Sequence, residues 1–188
     1  MSHTREYVRK AIHVLFGLFF ILLIQFAGTQ MSALIIGLCL IAGTILSFAI
    51  IRGHEFPFIR KMVENVEREN EKHFPGKAAV YFFVSAILLL ILFKDSPQII
   101  LAALSVQVFA DSAAALIGIT FGKHKLYKKK TWEGSIACLI VSIICINLFF
   151  PLHIAIIGGI VATLIEILPL DDNLWVPLFT ATAIRLLL

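Results

Sequence analysis

Seven apolar blocks, separated by short charged or turn-forming segments, constrain this chain more than any other feature of its sequence. They cover residues 11–27, 31–51, 78–93, 97–119, 134–150, 152–168 and 174–188. A helix needs roughly 20 residues to cross the hydrocarbon core of a bilayer. Only helices and closed barrels can satisfy every backbone polar group in lipid. The pattern therefore predicts an all-α, polytopic transmembrane helix bundle of about seven spans.

The composition agrees with a membrane location. The chain is 60% hydrophobic and 15% charged, and its mean hydropathy is +0.95, which is far from an ordinary soluble domain. We expect residues 1–188 to form a single membrane domain. The third and seventh blocks are the shortest, so six full spans are the alternative. The cysteines Cys39, Cys138 and Cys145 lie inside apolar blocks, which offers neither a disulfide framework nor a Cys-x-x-Cys metal site.

The basic residues predict the orientation of the bundle. Of the 16 Lys and Arg residues, all but Lys94 and Arg185 fall on one side of a seven-span arrangement. Basic residues near span ends resist translocation, which places this side and the N-terminus in the cytoplasm. On the same side, residues 52–77 carry apolar positions at helical spacing beneath charged ones, so we expect an amphipathic surface helix there.

Two carboxylates stand inside apolar blocks, where an ionisable side chain is costly and needs a partner or a function. Asp111 lies in the fourth block and Glu166 lies near the end of the sixth. A hydrogen bond to a neighbouring helix would explain either one alone. Both lie toward the predicted cytoplasmic side and each is followed by a polar loop, so we expect them to share a functional site.

The loop over residues 120–133 is strongly basic, with five lysines in eight positions. A loop of this kind beside a bilayer commonly binds acidic lipids. Here it leads into the start of the fifth block, where the N-terminal end of a helix attracts phosphate. We therefore predict that the loop binds a polyphosphate. The expected contacts are Gly122, Lys123, Lys128, Lys129, Lys130, Thr131, Gly134 and Ser135.

A second polar loop, residues 169–173, contains two aspartates and an asparagine. By itself this composition is typical of a turn. Beside a polyphosphate site its oxygen atoms become candidate Mg²⁺ ligands, because Mg²⁺ takes one or two carboxylates and shares the rest with phosphate and water. The expected metal ligands are Asp172, Asn173 and Glu166. The basic groups Arg9, Lys10, His13 and Lys77 either anchor the chain or contact substrate, and both interpretations stay open.

Four motifs occur in order along the chain. They are Arg9-Lys10-x-x-His13, then Asp111-Ser112-Ala113-Ala114 with Gly122-Lys123, then Lys130-Thr131-Trp132-Glu133-Gly134-Ser135, then Glu166-x-x-Pro169-x-x-Asp172-Asn173. Together they resemble the polyprenol kinase family, which includes dolichol kinases, phytol kinases and CTP-dependent diacylglycerol kinases. The resemblance covers most of the chain. It implies CTP as the phosphoryl donor and a membrane lipid alcohol as the acceptor.

The middle motifs are also similar to those of phosphatidate cytidylyltransferases, which use CTP as well. The chain lacks the closing signature of those enzymes, a His-Gly-Gly followed by Asp-Arg and Asp, and the resemblance therefore favours a kinase. An alternative of another class is an ion-coupled transporter in which Asp111 and Glu166 carry ions. A transporter predicts polar residues in the outer halves of the spans, and these halves are nearly all apolar.

A kinase site must position a hydroxyl group, neutralise phosphate oxygens and hold a metal ion. We expect the lysines of the basic loop to hold the phosphates of CTP, and Asp172 with Glu166 or Glu133 to bind Mg²⁺. Asp111 would orient or deprotonate the lipid hydroxyl, although it could equally be a metal ligand. The predicted catalytic residues are Asp111, Glu133 and Glu166. Polyprenol, a phytol-like alcohol and diacylglycerol all stay open as acceptors.

The expected location is the plasma (inner) membrane of a prokaryote, with multiple spans and the active site on the cytoplasmic side. The expected partners are a membrane lipid alcohol and CTP. Nothing in the sequence predicts a nucleic-acid partner. Assembly into an oligomer stays open.

Overall fold

Helices dominate the computed structural model, which describes residues 3–52, 76–128 and 130–188. The helices are α1 His3–Ile51, α2 Lys77–Leu92, α3 Pro97–Ser105, α4 Asp111–Phe121, α5 Trp132–Asn147, α6 Leu152–Ile167 and α7 Asp172–Leu187. A π-helical turn, Val106–Ala110, joins α3 to α4. The strands β1 Lys125–Tyr127 and β2 Lys130–Thr131 form a short antiparallel hairpin, a small addition to the predicted all-helical fold.

A break at Gly28 divides the long helix α1 into two parts. Its φ of +77° lies in the left-handed region that glycine adopts readily. An unbroken helix would separate Phe20 from Ser47 by roughly 40 Å, at 1.5 Å per residue. Instead the Phe20 ring centroid lies 4.9 Å from that of Phe83 in α2, while Ser47 Oγ lies 3.5 Å from where a β-carbon on Gly76 would stand. Both parts of α1 therefore pack against the first turns of α2, as expected for two separate apolar blocks.

The centre of the bundle is formed by α3 and the π-helical turn. Every side chain from Ile99 to Val108 is buried. These residues pack against α1, α2, α5 and α7. Around this centre, α4, α5 and α6 each pack against the next helix in the chain, and α7 closes against α2. Asp111, predicted as a catalytic residue, therefore begins a helix that continues directly from the most buried part of the described chain.

Two helices are long and apolar enough to cross a membrane, Thr4–Ile51 and Pro97–Phe121, as judged from length and composition in the described part of the chain. Helices α2, α5 and α6 are apolar but have 16 residues each. At 1.5 Å per residue this is about 24 Å, less than the roughly 30 Å of a hydrocarbon core. The predicted number of seven spans is therefore not confirmed. The amphipathic helix predicted for residues 52–77 falls almost wholly on residues 53–75, outside the described ranges.

Candidate active site

A buried ion pair joins α1 to α4 at one end of the bundle. The Lys10 ammonium donates a hydrogen bond to Asp111 Oδ2, and the two residues are 4% and 8% exposed. His13 Nε2 lies 3.8 Å from the same oxygen. A buried charge without a counter-ion is strongly destabilising, so each member of this pair requires the other. The structure thus brings together Lys10, His13 and Asp111, which we call the Asp111 cluster.

The His13 ring is held from two further directions. Its Nε2 donates a hydrogen bond of 3.2 Å to the backbone carbonyl oxygen of Gln107, which requires the proton on Nε2 because a carbonyl can only accept. Its ring also packs edge-on against Phe82, with 5.0 Å between the centroids. Gln107 lies in the π-helical turn, and such turns are frequent at functional sites. The turn thus presents a main-chain acceptor to His13 immediately before Asp111.

A second cluster is centred on Lys130. Its ammonium donates to Glu166 Oε1 and, over 2.8 Å, to Asp172 Oδ2. These three residues come from β2, the end of α6 and the start of α7, and we call them the Lys130 cluster. Burial lowers the pKa of Lys130, but Asp172 and Glu166 outweigh burial and hold its pKa above the usual value. Lys130 is therefore a permanent cation in this site.

Negative charge is in excess around Lys130. Burial raises the pKa of Asp172 to about 6, and the nearby carboxylates of Asp111 and Glu166 oppose the lowering effect of Lys130. Three carboxylates thus act on one another across the two clusters. A site of this kind favours an additional cation.

An amide pair lies between the two clusters. Gln107 Nε2 donates a hydrogen bond of 2.7 Å to Asn173 Oδ1, and Asn173 Nδ2 donates one of 3.2 Å to the carbonyl oxygen of Ala78. The sequence analysis assigned no role to Gln107. Its signal was an amide in an apolar block, four positions before Asp111 and therefore on the same helix face. Asn173, predicted as a metal ligand, has its oxygen bonded to Gln107 here.

Four buried side-chain oxygens have no hydrogen-bond partner among the described residues, namely Gln107 Oε1, Ser135 Oγ, Glu166 Oε2 and Asp172 Oδ1. Buried polar atoms are rarely left unpaired, and each exception calls for an explanation such as a ligand or water. Three of these residues belong to the clusters or to the amide pair between them.

The fourth, Ser135, reaches the site through helix packing. The short connection between α5 and α6 makes them antiparallel neighbours, and a β-carbon on Gly159 would stand 2.8 Å from Ile143 Cγ1. Ser135 lies about two turns before Ile143 in α5, and Glu166 lies about two turns after Gly159 in α6. In antiparallel helices these two positions are neighbours, so Ser135 lies beside the end of α6 that carries Glu166. The four residues with unpaired oxygens therefore lie at the same end of the bundle, as expected for a polar ligand site.

Within the described residues, the predicted Mg²⁺ site has too few protein ligands to hold the ion alone, so the ion would be shared with a bound nucleotide. No group of three or more His, Cys, Asp or Glu side chains within residues 3–52, 76–128 and 130–188 is arranged to hold a metal ion. Glu166 and Asp172 both reach Lys130, and each keeps one unpaired oxygen. Mg²⁺ commonly takes one or two carboxylates and completes its shell with phosphate oxygens and water. The pair is suited to Mg²⁺ that arrives with a nucleotide, and its binding stays a prediction.

Glu133, predicted as a catalytic residue, and the predicted phosphate contacts Lys123 and Lys128 lie in or beside the hairpin. Glu133 accepts hydrogen bonds from the backbone N–H of His124 at 3.2 Å and from its ring Nδ1 at 2.7 Å. Hydrogen bonds from its own backbone N–H and from His124 lower the pKa of Glu133 to about 2. Lys128 lies at the hairpin turn with a φ of +50°, its ammonium 5.3 Å from the Tyr127 ring centroid. Lys123 is exposed, and Lys129 lies outside the described residues.

Thr131 and the glycines near it have contacts within the protein. Thr131 Oγ1 caps α5 by accepting from the backbone N–H of Gly134 at 3.2 Å. A β-carbon on Gly134 would stand 2.7 Å from the carbonyl oxygen of Ala114, and one on Gly122 would stand 2.7 Å from Thr131 Cγ2. These glycines therefore let α4, α5 and the hairpin approach closely. Their predicted role in nucleotide binding stays a prediction.

Two further ion pairs lie at the edge of the site. Lys77 at the start of α2 lies 3.4 Å from Asp171 Oδ2, and both side chains are about half-exposed. Exposed pairs of this kind contribute little to stability. Arg9 pairs with Glu6 one turn earlier in α1. Asp171, one of the two aspartates in the loop predicted to supply Mg²⁺ ligands, thus pairs with Lys77 here, and Glu6 is visible only as the partner of Arg9.

The sequence matches the cytidylyltransferase family over residues 1–177, which is most of the chain. The protein therefore belongs to this family. Its curated relatives include enzymes that are named as lipid kinases, which confirms the resemblance seen in the motifs.

A CTP-dependent diacylglycerol kinase of Schizosaccharomyces pombe is 25% identical, with 100% of this chain and 95% of the relative covered. A probable chloroplastic phytol kinase of Triticum aestivum is 29% identical, with 92% of this chain but only 64% of the relative covered. An uncharacterized protein of Methanocaldococcus jannaschii is 28% identical, with 96% and 93% covered. No solved structure matches the chain.

Proposed function

We propose that this protein is a CTP-dependent lipid-alcohol kinase. It transfers the γ-phosphoryl group of CTP to the hydroxyl group of a membrane isoprenoid alcohol of the polyprenol, dolichol or phytol type. The names of the phytol kinase and diacylglycerol kinase relatives support a CTP-dependent lipid kinase. The observation that carries the proposal is the buried Asp111 cluster beside the Lys130 cluster, because phosphoryl transfer needs both an acceptor-orienting group and a phosphate-binding cation.

The proposed setting is a single membrane domain, residues 1–188, in the plasma membrane of a prokaryote. In this arrangement the chain crosses the membrane several times and the site faces the cytoplasm. The long apolar helices and the exposed apolar side chains on their outer faces support a membrane location. The excess of basic residues at the site end supports the orientation.

Lys130 is the proposed phosphate contact. A lysine ammonium has three N–H donors, and Glu166 and Asp172 accept from it here. The remaining N–H is available for a phosphate oxygen of CTP. Lys123 and Lys128 add positive charge nearby, and Lys129, outside the described residues, stays a predicted phosphate contact. Ser135 Oγ, buried without a partner among the described residues, offers a further hydroxyl. Backbone N–H groups at the start of α5, near Gly122, Thr131 and Gly134, would complete the contacts.

Glu166 and Asp172 are the proposed ligands of Mg²⁺, through the oxygens that have no partner in the described chain. The ion would supply neutralisation of the charge on the phosphate oxygens. Both carboxylates also hold Lys130 in place, so the protein positions its own cation next to the metal ligands.

Asp111 is the proposed partner of the acceptor hydroxyl. Lys10 is the counter-ion of the Asp111 carboxylate, which would accept the hydrogen bond that orients the hydroxyl oxygen toward the γ-phosphorus. In the transfer, the hydroxyl oxygen forms a bond to the γ-phosphorus as the bond to the bridging oxygen breaks. CDP leaves, and the hydroxyl proton passes to Asp111. The His13 ring packs beside this carboxylate, with Nε2 3.8 Å from Asp111 Oδ2 and its N–H donated to the Gln107 carbonyl oxygen.

Position-specific labels in CTP test this proposal against the second candidate, a cytidylyltransferase, which the description of the matching family favours. A kinase moves label from γ-³²P CTP into the lipid and leaves the α label in CDP. A cytidylyltransferase moves the α label into the lipid and releases the γ label as pyrophosphate. We expect γ label in an isoprenoid alcohol when the purified protein is incubated with Mg²⁺ and a lipid mixture in detergent.

Two variants complete the experiment. Asp111→Asn should abolish the transfer, whereas Lys94→Gln, beyond the opposite end of α2, should retain it. Lipid labelled from the α position would overturn the kinase proposal in favour of the cytidylyltransferase. Absence of label from the γ position with every lipid alcohol would overturn the kinase, and absence of α label with phosphatidate as acceptor would overturn the cytidylyltransferase.

A further inference from the structure

Gln107 is fully buried in the π-helical turn and contacts both sides of the site. Its backbone carbonyl oxygen receives the 3.2 Å hydrogen bond from His13 Nε2. Its side-chain Nε2 donates the 2.7 Å hydrogen bond to Asn173 Oδ1. The same residue therefore touches the Asp111 cluster through its main chain and the neighbour of Asp172 through its side chain.

Asn173 is fixed in turn by α2. Its Nδ2 donates to the carbonyl oxygen of Ala78, which leaves its Oδ1 directed at Gln107. Asn173 directly follows Asp172 in the first turn of α7. A continuous path of hydrogen bonds thus runs from α1 through the π-helical turn to α7 and α2. The Gln107 side chain thus links the first turn of α7 to the turn that precedes Asp111.

The unpaired atom of Gln107 argues against a purely structural role. Its Oε1 has no hydrogen-bond partner among the described residues, although the side chain is completely buried. A buried acceptor without a donor is unfavourable, and an apolar side chain of similar volume would avoid this. An amide at this position therefore costs folding stability, which is common for residues at functional sites.

We propose that Gln107 is a positioning residue that fixes the distance between Asp111 and Asp172. This inference rests on the proposed function, in which Asp111 orients the acceptor hydroxyl and Asp172 belongs to the phosphate and metal side. Phosphoryl transfer requires the two reactants in line, and a displacement of about 1 Å can cost roughly 100-fold in rate. A side chain one methylene shorter or longer changes the reach of this link by about that amount.

A reciprocal exchange of the two amides tests the inference. Gln107→Asn and Asn173→Gln each change the length of the link, whereas the double variant restores its total length with the same chemical groups. We expect each single variant to lower kcat at least tenfold, with KM for CTP and the Mg²⁺ dependence within about threefold of the parent protein. The double variant should recover kcat to within about fivefold. Thr180→Val, a buried residue bonded only within its own helix, is the matched control.

Rates are expressed per folded molecule, from the area of the monomeric peak in size-exclusion chromatography, so that loss of folded protein does not count as loss of kcat. The inference is overturned if the single variants keep kcat within twofold, or if the double variant is as slow as the singles. A change in the Mg²⁺ concentration for half-maximal activity that occurs only in Asn173→Gln would also overturn it, because that result would make Asn173 a metal ligand. A parent protein without transfer activity would instead overturn the proposed function itself, and the two failures are therefore distinct.

Discussion

Lys130 Nζ lies 2.8 Å from Asp172 Oδ2 and also donates to Glu166, so one ammonium joins the hairpin to the end of α6 and the start of α7. These residues are far apart in the chain, and the lysine is the point at which the three elements meet. Its neighbours in the sequence, Lys125 and Lys128, are exposed on the hairpin. Among the described lysines of the basic loop, Lys130 is therefore the one in this cluster, whereas Lys123, Lys125 and Lys128 are exposed.

Lys130→Met should weaken CTP binding more than a typical change in this loop. Removing the ammonium deletes the phosphate donor and leaves two carboxylates facing each other, so we expect KM for CTP to rise at least tenfold and kcat to fall. Steady-state kinetics with labelled CTP measure both. Lys94→Gln is the control for the loss of one positive charge. An unchanged KM in Lys130→Met would remove Lys130 from the phosphate site.

Lys10→Met should destabilise the protein by about 3–5 kcal/mol, the range for breaking a buried ion pair by removing one partner. The physical reason is that Asp111 would keep its charge without a counter-ion. Adding Asp111→Asn to Lys10→Met should recover much of the loss, because the remaining group is neutral. Denaturant unfolding of the four proteins in one detergent forms a double-mutant cycle. Additive effects of the two substitutions would contradict the pairing.

Mg²⁺ should bind weakly without nucleotide and more tightly with CTP. Among the described residues, Glu166 and Asp172 are the carboxylates with a buried unpaired oxygen, and two such ligands need phosphate oxygens and water to complete the shell of Mg²⁺. Glu166→Gln should raise the Mg²⁺ concentration for half-maximal activity at least tenfold. Asp95→Asn, in the turn after α2, is the matched control. Activity that persists in excess EDTA would remove Mg²⁺ from the proposal.

Gly134→Ala should lower the melting temperature by several degrees. The added β-carbon would stand 2.7 Å from the carbonyl oxygen of Ala114, so the backbones of α4 and α5 would have to move apart. Gly37→Ala has nothing within 4 Å of its new β-carbon and should keep or raise the melting temperature. Thermal unfolding in detergent compares the two. A change confined to KM for CTP would show that Gly134 acts on the nucleotide and not on helix packing.

Much of the helical architecture and part of the site follow from the sequence, because both depend on local rules. Apolar blocks long enough for helices must form helices in lipid, and an ionised Asp111 or Glu166 in such a block is too costly to be incidental. The same reasoning noted Lys10 and His13 within one turn of each other in a basic segment, but left open whether they anchor the chain or contact substrate. It could not fix the number of spans, because helix ends depend on packing as well as on composition.

The tertiary structure alone decided which residues meet. The pairing of Lys10 with Asp111 and the position of Gln107 against Asn173 join residues from opposite parts of the chain, and no periodicity or spacing encodes such contacts. Which lysine of the loop pairs with Glu166 and Asp172 is likewise decided by tertiary contacts. It depends on where the ends of α6 and α7 pack, and packing is settled by the shape of the whole bundle rather than by any local segment.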